Sequence, residues 1–280
     1  MIKKILHPGL GKCGTTAKQL HYWPEICSIC NWNFISLAKR KDLVYDLKLF
    51  KFLKKLENQK NKKNLSLKKI HFNKNIFLSN EGFLEFNNLW DPEFYDESIK
   101  YLRKNFDKDF EILLTIRKPS DWLISNYLTY INLGGNLPIE KYYLKNQEYY
   151  KTNNVKKFNI SKFKNNNLIS KLKKKFKKVH IIFYEKKNLK TYNEIFGNIK
   201  NLRISNEKKI EKPSISYVGF KILFYLNNNN ILRNNSLIKK IIRLLDKYLL
   251  LSVFKFPKKK YLKKIKFDIK NFDKKYKNIG

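Results

Sequence analysis

A glycine-punctuated turn near the start constrains this chain more than anything else in it. Residues 3–23 read KKILHPGLGKCGTTAKQLHYW. Ile5-Leu6, behind two lysines, predicts a short buried first strand. Gly9, Gly11 and Gly14 let the backbone turn tightly, and a helix follows from Thr15 or Thr16. Strand, loop and helix start in that order make an anion cradle. Backbone N–H groups of a first helical turn lack intrahelical acceptors and, with the helix dipole, favour a phosphate or sulfate. Lys12 adds a formal positive charge, and Thr15 and Thr16 add hydroxyl donors.

A nucleotide-triphosphatase loop carries its lysine directly after the last glycine, followed by a hydroxyl that holds magnesium. Here the lysine comes first, in Lys12-Cys13-Gly14-Thr15-Thr16. A second segment, residues 112–130, reads ILLTIRKPSDWLISNYLTY. Its apolar, β-branched run predicts a strand ending at Arg117, and Pro119 fits the first turn of a helix. Ser125 lies about two turns into that helix, so a strand-end arginine and a helix serine can converge on one phosphate.

Lys12-Cys13-Gly14-Thr15-Thr16 resembles the K-x-G-T-T signature of sulfotransferases that use 3′-phosphoadenosine 5′-phosphosulfate (PAPS). Residues 117–127 resemble the same family's R-x-P-x(5)-S-x-Y segment. Tyr184-Glu185 and Leu189 resemble its strand-Y-E-x-L element, with three residues rather than one between Glu185 and Leu189. Cys13 stands where the family often has threonine or serine. The resemblance implies an α/β fold, a three-layer sandwich with a central parallel sheet flanked by helices, of the P-loop-like sulfotransferase type. It implies PAPS as sulfuryl donor, adenosine 3′,5′-bisphosphate (PAP) as product, and no required metal. Lys12, Gly14, Thr15 and Thr16 would hold the 5′ side of the donor, and Arg117 and Ser125 its 3′-phosphate. A carboxylate or histidine after a further strand serves the family as general base, which points to Glu81 in Ser79-Asn80-Glu81-Gly82. Glu81 as a helix cap or lysine partner is an equal alternative, and His21 and His71 are the other candidate bases. The acceptor implied is a carbohydrate or lipid-linked sugar, or a small metabolite.

The alternation of strands and helices, including Asn75–Leu78, Val179–Phe183 and a helix from Leu189 to Phe196, independently predicts a parallel sheet flanked by helices. A single domain over 1–280 is expected, with acceptor-side insertions at 39–69 and 134–166 and C-terminal helices over 215–276. In that layout Trp23-Pro24 ends the first helix, and the segment from Ile26 to Leu37 packs or lines a pocket. Tyr142, Tyr143, Tyr149 and Tyr150 are candidates to stack on sugar faces or to lie on exposed helix faces, and Lys212 or Ser214 to approach the phosphates. Glu185 is expected to tie loops together.

Charge bears on partners. Lys+Arg total 61 against 23 Asp+Glu, a formal +38, which favours polyanions, but only six of the basic residues are arginine. Base-edge readout leans on the bidentate arginine fork, so a lysine background argues against specific nucleic-acid recognition. Two other classes stay open: a nucleotide-dependent phosphotransferase or kinase sharing the loop-helix logic, and a non-catalytic basic module for nucleic acid or membrane. The apolar-basic pattern from Leu237 to Tyr276 fits terminal helices with a solvated lysine face or a peripheral contact with anionic lipid. Cys27 and Cys30 form a lone C-x-x-C, read as free thiols or a redox pair. No apolar run approaches the ~20 residues of a spanning helix, and no signal core precedes the loop, so a cytoplasmic protein is expected.

Overall fold

The computed structural model describes residues 2–36, 72–80, 83–84, 95–144, 158–159, 165–186, 188–197, 215–229, 236–246, 255–265 and 268–279. Along the chain run β1 (Lys4–His7), α1 (Thr15–Ala17), a π-turn (Lys18–Tyr22), α2 (Trp23–Ile29), β2 (Asn33–Ser36), β3 (Ile76–Ser79), α3 (Tyr95–Asn105), β4 (Glu111–Ile116) and α4 (Pro119–Asn132). There follow α5 (Ile139–Tyr142), β5 (Tyr143–Leu144), β6 (Phe158–Asn159), α6 (Asn165–Lys175), β7 (Val179–Phe183), α7 (Leu189–Phe196), α8 (Tyr217–Asn228), α9 (Ser236–Leu245), α10 (Lys258–Leu262) and α11 (Ile269–Lys277). The chain divides into two compact units, Met1–Arg117 with Lys164–Glu211, and Lys118–Phe163 with Lys212–Gly280.

The first unit is built on a five-stranded sheet in the order β2-β3-β1-β4-β7, with every neighbouring pair parallel. The protein is therefore α/β. Successive strand residues point to opposite faces, yet Ile5 and Leu6, Ile76 to Ser79, and Ile112 to Ile116 are all buried, so both faces of the sheet are covered. Against one face pack Tyr22, Trp23, Ile26, Cys27, Tyr192, Ile195 and Phe196, meeting Ile5, Phe34, Phe77, Leu113 and Ile182 of the strands. Each such fully buried aliphatic or phenylalanine side chain is worth about 1.5–3 kcal/mol relative to an exposed one. Phe83, Phe106 and Phe110 form a further aromatic group, with neighbouring ring centroids 5.3 and 5.4 Å apart.

One sequence expectation is overturned by the helix that follows the loop. Trp23-Pro24 does not end the first helix, which continues as α2 with Pro24 in its first turn. The Trp23 amide reaches back five residues to the Lys18 carbonyl, and this wider π-turn absorbs a residue that has no N–H to give. The apolar segment expected to pack or to line a pocket does pack, partly as the strand β2, whose Phe34 and Ile35 are fully buried.

The second unit gathers around α4, whose Trp122, Leu123, Ile124, Tyr127, Tyr130 and Ile131 are buried. Asn227 of α8 donates to the carbonyls of Ile131 (2.7 Å) and Gly135 (2.8 Å), closing off the end of α4. At the other end, the Ser120 amide donates to Asp273 of α11 (3.0 Å), and Lys258 of α10 pairs with Asp121 (2.6 Å). Tyr142 and Tyr143 are buried here, and neither stands on an exposed face where a sugar could stack. The Tyr142 ring lies against Tyr130 with centroids 4.3 Å apart, and the Tyr143 hydroxyl donates to the Leu123 carbonyl (2.6 Å). Ser216 caps α8, accepting from the Gly219 amide at 3.0 Å, and buried Asp246 accepts from both the Ser216 amide (2.9 Å) and its hydroxyl. Tyr149, Tyr150, Lys212, Ser214 and the 39–69 insertion lie outside the described residues.

Candidate anion-binding site

The carboxyl ends of the parallel strands form one edge of the first unit, the edge where open α/β sheets bind ligands. The loop from His7 to Gly14 leaves β1 there, Ser79-Asn80 leaves β3, Arg117 follows β4, and Tyr184-Glu185 follows β7. The Asn80 amide donates to the His7 carbonyl (3.1 Å), and the Tyr184 amide to the Ile116 carbonyl (2.8 Å), so adjacent exits are tied together.

Within the loop the backbone turns left-handed at Gly9, Lys12 and Gly14, with φ of 55°, 63° and 69°. Gly11, read from sequence as one of three turning glycines, is not among these positions, and Lys12 takes a left-handed conformation in spite of its Cβ. That conformation costs about 1–2 kcal/mol for an L-residue. It is offset by Arg117, whose Nη1 donates to the Lys12 carbonyl at 2.9 Å, a charge-assisted bond of about 1.5–3 kcal/mol. The two sequence motifs therefore meet directly: loop and arginine adjoin at the sheet edge.

Tyr184 completes the corner. Its ring centroid lies 4.8 Å from the Arg117 guanidinium carbon, and a Cβ on Gly14 would fall 2.3 Å from its Cε2. Gly14 is thus required twice, for its positive φ and for the close approach of the ring. Glu185 stands 3.9 Å from Arg117 Nε, a long ion pair that ties the β7 exit to the arginine, as expected for a loop tie. Arg117 Nε is nevertheless buried with no hydrogen-bond acceptor among the described residues. A buried N–H without an acceptor is costly, so this corner favours an incoming oxyanion.

Thr15 starts α1 as anticipated, but its buried hydroxyl donates to the Leu10 carbonyl at 3.1 Å. A threonine has one hydroxyl proton, so in this geometry Thr15 fastens the loop and leaves a ligand only its backbone. Thr16 and Gly14 are half-buried beside it, as is Lys12. Ser125 belongs to the second unit, half-buried on α4, where its carbonyl accepts from the Thr129 hydroxyl at 2.9 Å. Glu81 and His71 lie outside the described residues, while His21 is half-buried in the π-turn.

Beneath the loop is a polar network that sequence reading missed. His7 at the end of β1 is fully buried, with Nδ1 2.7 Å from Ser79 Oγ and Nε2 3.0 Å from Thr115 Oγ1. Gln19, from the π-turn, donates to the same Ser79 oxygen at 2.9 Å. Burial, reinforced by the charge of Lys18, lowers the His7 pKa to about 3, so the ring is neutral near pH 7. The network joins three strand ends to the helix after the loop. Its only sequence trace was a histidine closing an apolar run, with hydroxyl residues at the ends of two later runs.

Cys27 and Cys30 are free thiols, and burial pushes both pKa values up, which makes them poor nucleophiles. Among the described residues no three or more His, Cys, Asp or Glu side chains gather as a metal site would require. Compared with known proteins, the chain matches no family model, no curated protein and no solved structure.

Proposed function

We propose that the chain is a sulfotransferase, moving a sulfuryl group from PAPS to a hydroxyl or amine of a carbohydrate-like acceptor. The observation that carries the reading is the bond from Arg117 Nη1 to the Lys12 carbonyl, because it joins the two motifs the resemblance rests on at one sheet edge. The central position of β1 between β3 and β4 supports the finer reading of a P-loop-like, three-layer sulfotransferase fold. The residues fit a phosphorylated adenosine: Lys12 and Arg117 supply two cations, and Arg117 Nε, which has no hydrogen-bond acceptor among the described residues and only the long ion pair to Glu185, is the N–H that a phosphate oxygen would satisfy.

PAPS, when bound, supplies an activated sulfuryl with a phosphate leaving group. Lys12 and the amides of Gly14, Thr15 and Thr16 would offset the charge that grows on the leaving side. Arg117 would hold the 3′-phosphate, fixing the line of attack without touching the reacting bond. Glu81 would take the proton of the acceptor hydroxyl as the new oxygen–sulfur bond forms. Ser79-Asn80, immediately before it, are anchored at the same sheet edge by the His7 network and the Asn80 amide bond.

The test is calorimetry with PAP in metal-free buffer beside ATP with magnesium, followed by transfer of labelled sulfate from PAPS to a panel of glycans. Metal-independent PAP binding with little response to ATP is expected. Tight ATP–magnesium binding without PAP binding would transfer the site to a phosphotransferase. Salt-sensitive binding to any polyanion, unchanged by Arg117→Ala, would reduce the chain to a basic module.

A further inference from the structure

Helix α9 carries an apolar face that the fold leaves in solvent. Leu237, Leu244, Ile241 and Leu245 are between 47% and 64% exposed, although Ile242 of the same helix is buried. At about 100° per residue these four occupy one continuous arc of about 100°. Ile242 and Asp246 occupy a second arc, turned into the unit. By the same spacing the positions of Lys239, Arg243 and Lys240 fall on the third, next to that of the exposed leucines. A solvated surface helix has two faces, one apolar and buried, one polar. Here an additional apolar face lies outside, bordered by basic positions. On α8, against which α9 packs, Ile222 and Tyr225 are exposed as well.

We propose that α9 is a docking helix for an anionic lipid surface, lying in the interface plane with the Leu237-Ile241-Leu244-Leu245 arc among the acyl chains and the basic arc at the headgroups. Charge selects this occupant. A second copy would bring another +38 and a like-charged arc, which opposes self-association, whereas an anionic bilayer complements both the cations and the aliphatic stripe. Lys259, Lys260, Lys263 and Lys264, exposed around α10 in the same unit, add to the field. The mode is peripheral, because a helix this short spans about half of a ~30 Å hydrocarbon core. Among the described residues no helix is long and apolar enough to cross a membrane. This inference does not rest on the sulfotransferase reading.

The test is cosedimentation of the full chain with vesicles of phosphatidylcholine, with and without one third phosphatidylglycerol. Binding is expected only with the anionic lipid. Ile241→Ser with Leu244→Ser should weaken it by about tenfold or more, since several methylenes leave the acyl region. Lys239→Gln, Lys240→Gln and Arg243→Gln together should weaken it about a hundredfold. Because α9 exposes Ile241 and Leu244, far-UV circular dichroism of the serine variant should not change. Leu244→Trp should show a blue-shifted emission with anionic vesicles that brominated lipid quenches. Undiminished binding by the double serine variant, or an emission from the Leu244→Trp protein that ignores lipid, would overturn the proposal. So would a concentration-dependent dimer, by sedimentation velocity, that the serine variant dissolves, because a second copy would then own the face.

Discussion

Replacing Gly14 by alanine should damage the loop in two separable ways. The first is backbone strain: at φ of 69° an alanine costs about 1–2 kcal/mol that glycine does not. The second is the Tyr184 ring, whose Cε2 and Cδ2 lie 2.3 and 2.8 Å from the new methyl. The ring can swing away, but it then gives up its packing on the loop and its place over Arg117, about 1 kcal/mol for a partly exposed cation–π pair. The expected total is about 2–3 kcal/mol. A double-mutant cycle isolates the second part. In a Tyr184→Ala background no ring remains to collide, so Gly14→Ala should cost about 1–2 kcal/mol, leaving a coupling of about 1 kcal/mol. Urea unfolding of the four proteins, compared at unchanged m-value, reads these differences. Equal costs of Gly14→Ala with and without Tyr184 would refute the argument that the ring is seated on this glycine.

Other consequences follow from single groups. His7 binds its proton only near pH 3 when folded, against an ordinary value of 6.5. Between those pH values the unfolded chain is the more protonated, so this histidine's contribution is complete above pH 6.5 and declines toward pH 3, by up to about 1.4 kcal/mol per pH unit. His7→Gln should flatten that part of the stability–pH curve measured by urea unfolding, and an unaltered slope would remove His7 as its source. Asp246→Ala leaves the Ser216 amide and hydroxyl buried without their acceptor and should destabilise by about 2–4 kcal/mol, read as a lower urea midpoint. A change below about 0.5 kcal/mol would contradict the assigned cap. Glu81→Gln should preserve PAP affinity while slowing sulfuryl transfer by about 10²–10⁴-fold, and undiminished turnover would hand the proton to another group.

What could be read from the sequence was local, and what could not was tertiary. The helix start at Thr15 or Thr16, the β4 run, expected to end at Arg117 and ending one residue earlier at Ile116, Pro119 as a first-turn residue, the strand Val179–Phe183 and the helix Leu189–Phe196 all follow from periodicity and from residues with restricted dihedrals. β3 emerged one residue later than its apolar run indicated, at Ile76–Ser79, since pairing with β1 in register carries the strand on to Ser79 opposite His7. β2 was concealed because a buried edge strand of four residues has too little alternation to separate it from packing aromatics. Pro24 misled because a π-turn has no signature in composition. Most telling is Lys12: a chain with Gly11 and Gly14 on either side invites glycine as the left-handed residue, and only a hydrogen bond from an arginine far along the chain makes lysine acceptable there. The same long-range pairing hid His7, Ser79, Thr115 and Tyr184, whose roles exist only once the strand ends adjoin.

Under the proposed function, Arg117, beside the Lys12 loop, recognises the 3′-phosphate of an adenosine nucleotide. Its most direct test is calorimetric titration of PAP and of adenosine 5′-monophosphate into the wild type and Arg117→Ala, all in one salt. A charge-assisted bond to phosphate is worth about 1.5–3 kcal/mol, so the wild type should prefer PAP by roughly 10–10²-fold and Arg117→Ala should lose that preference. A preference for PAP that survives Arg117→Ala, or no preference in the wild type, would remove this role from Arg117.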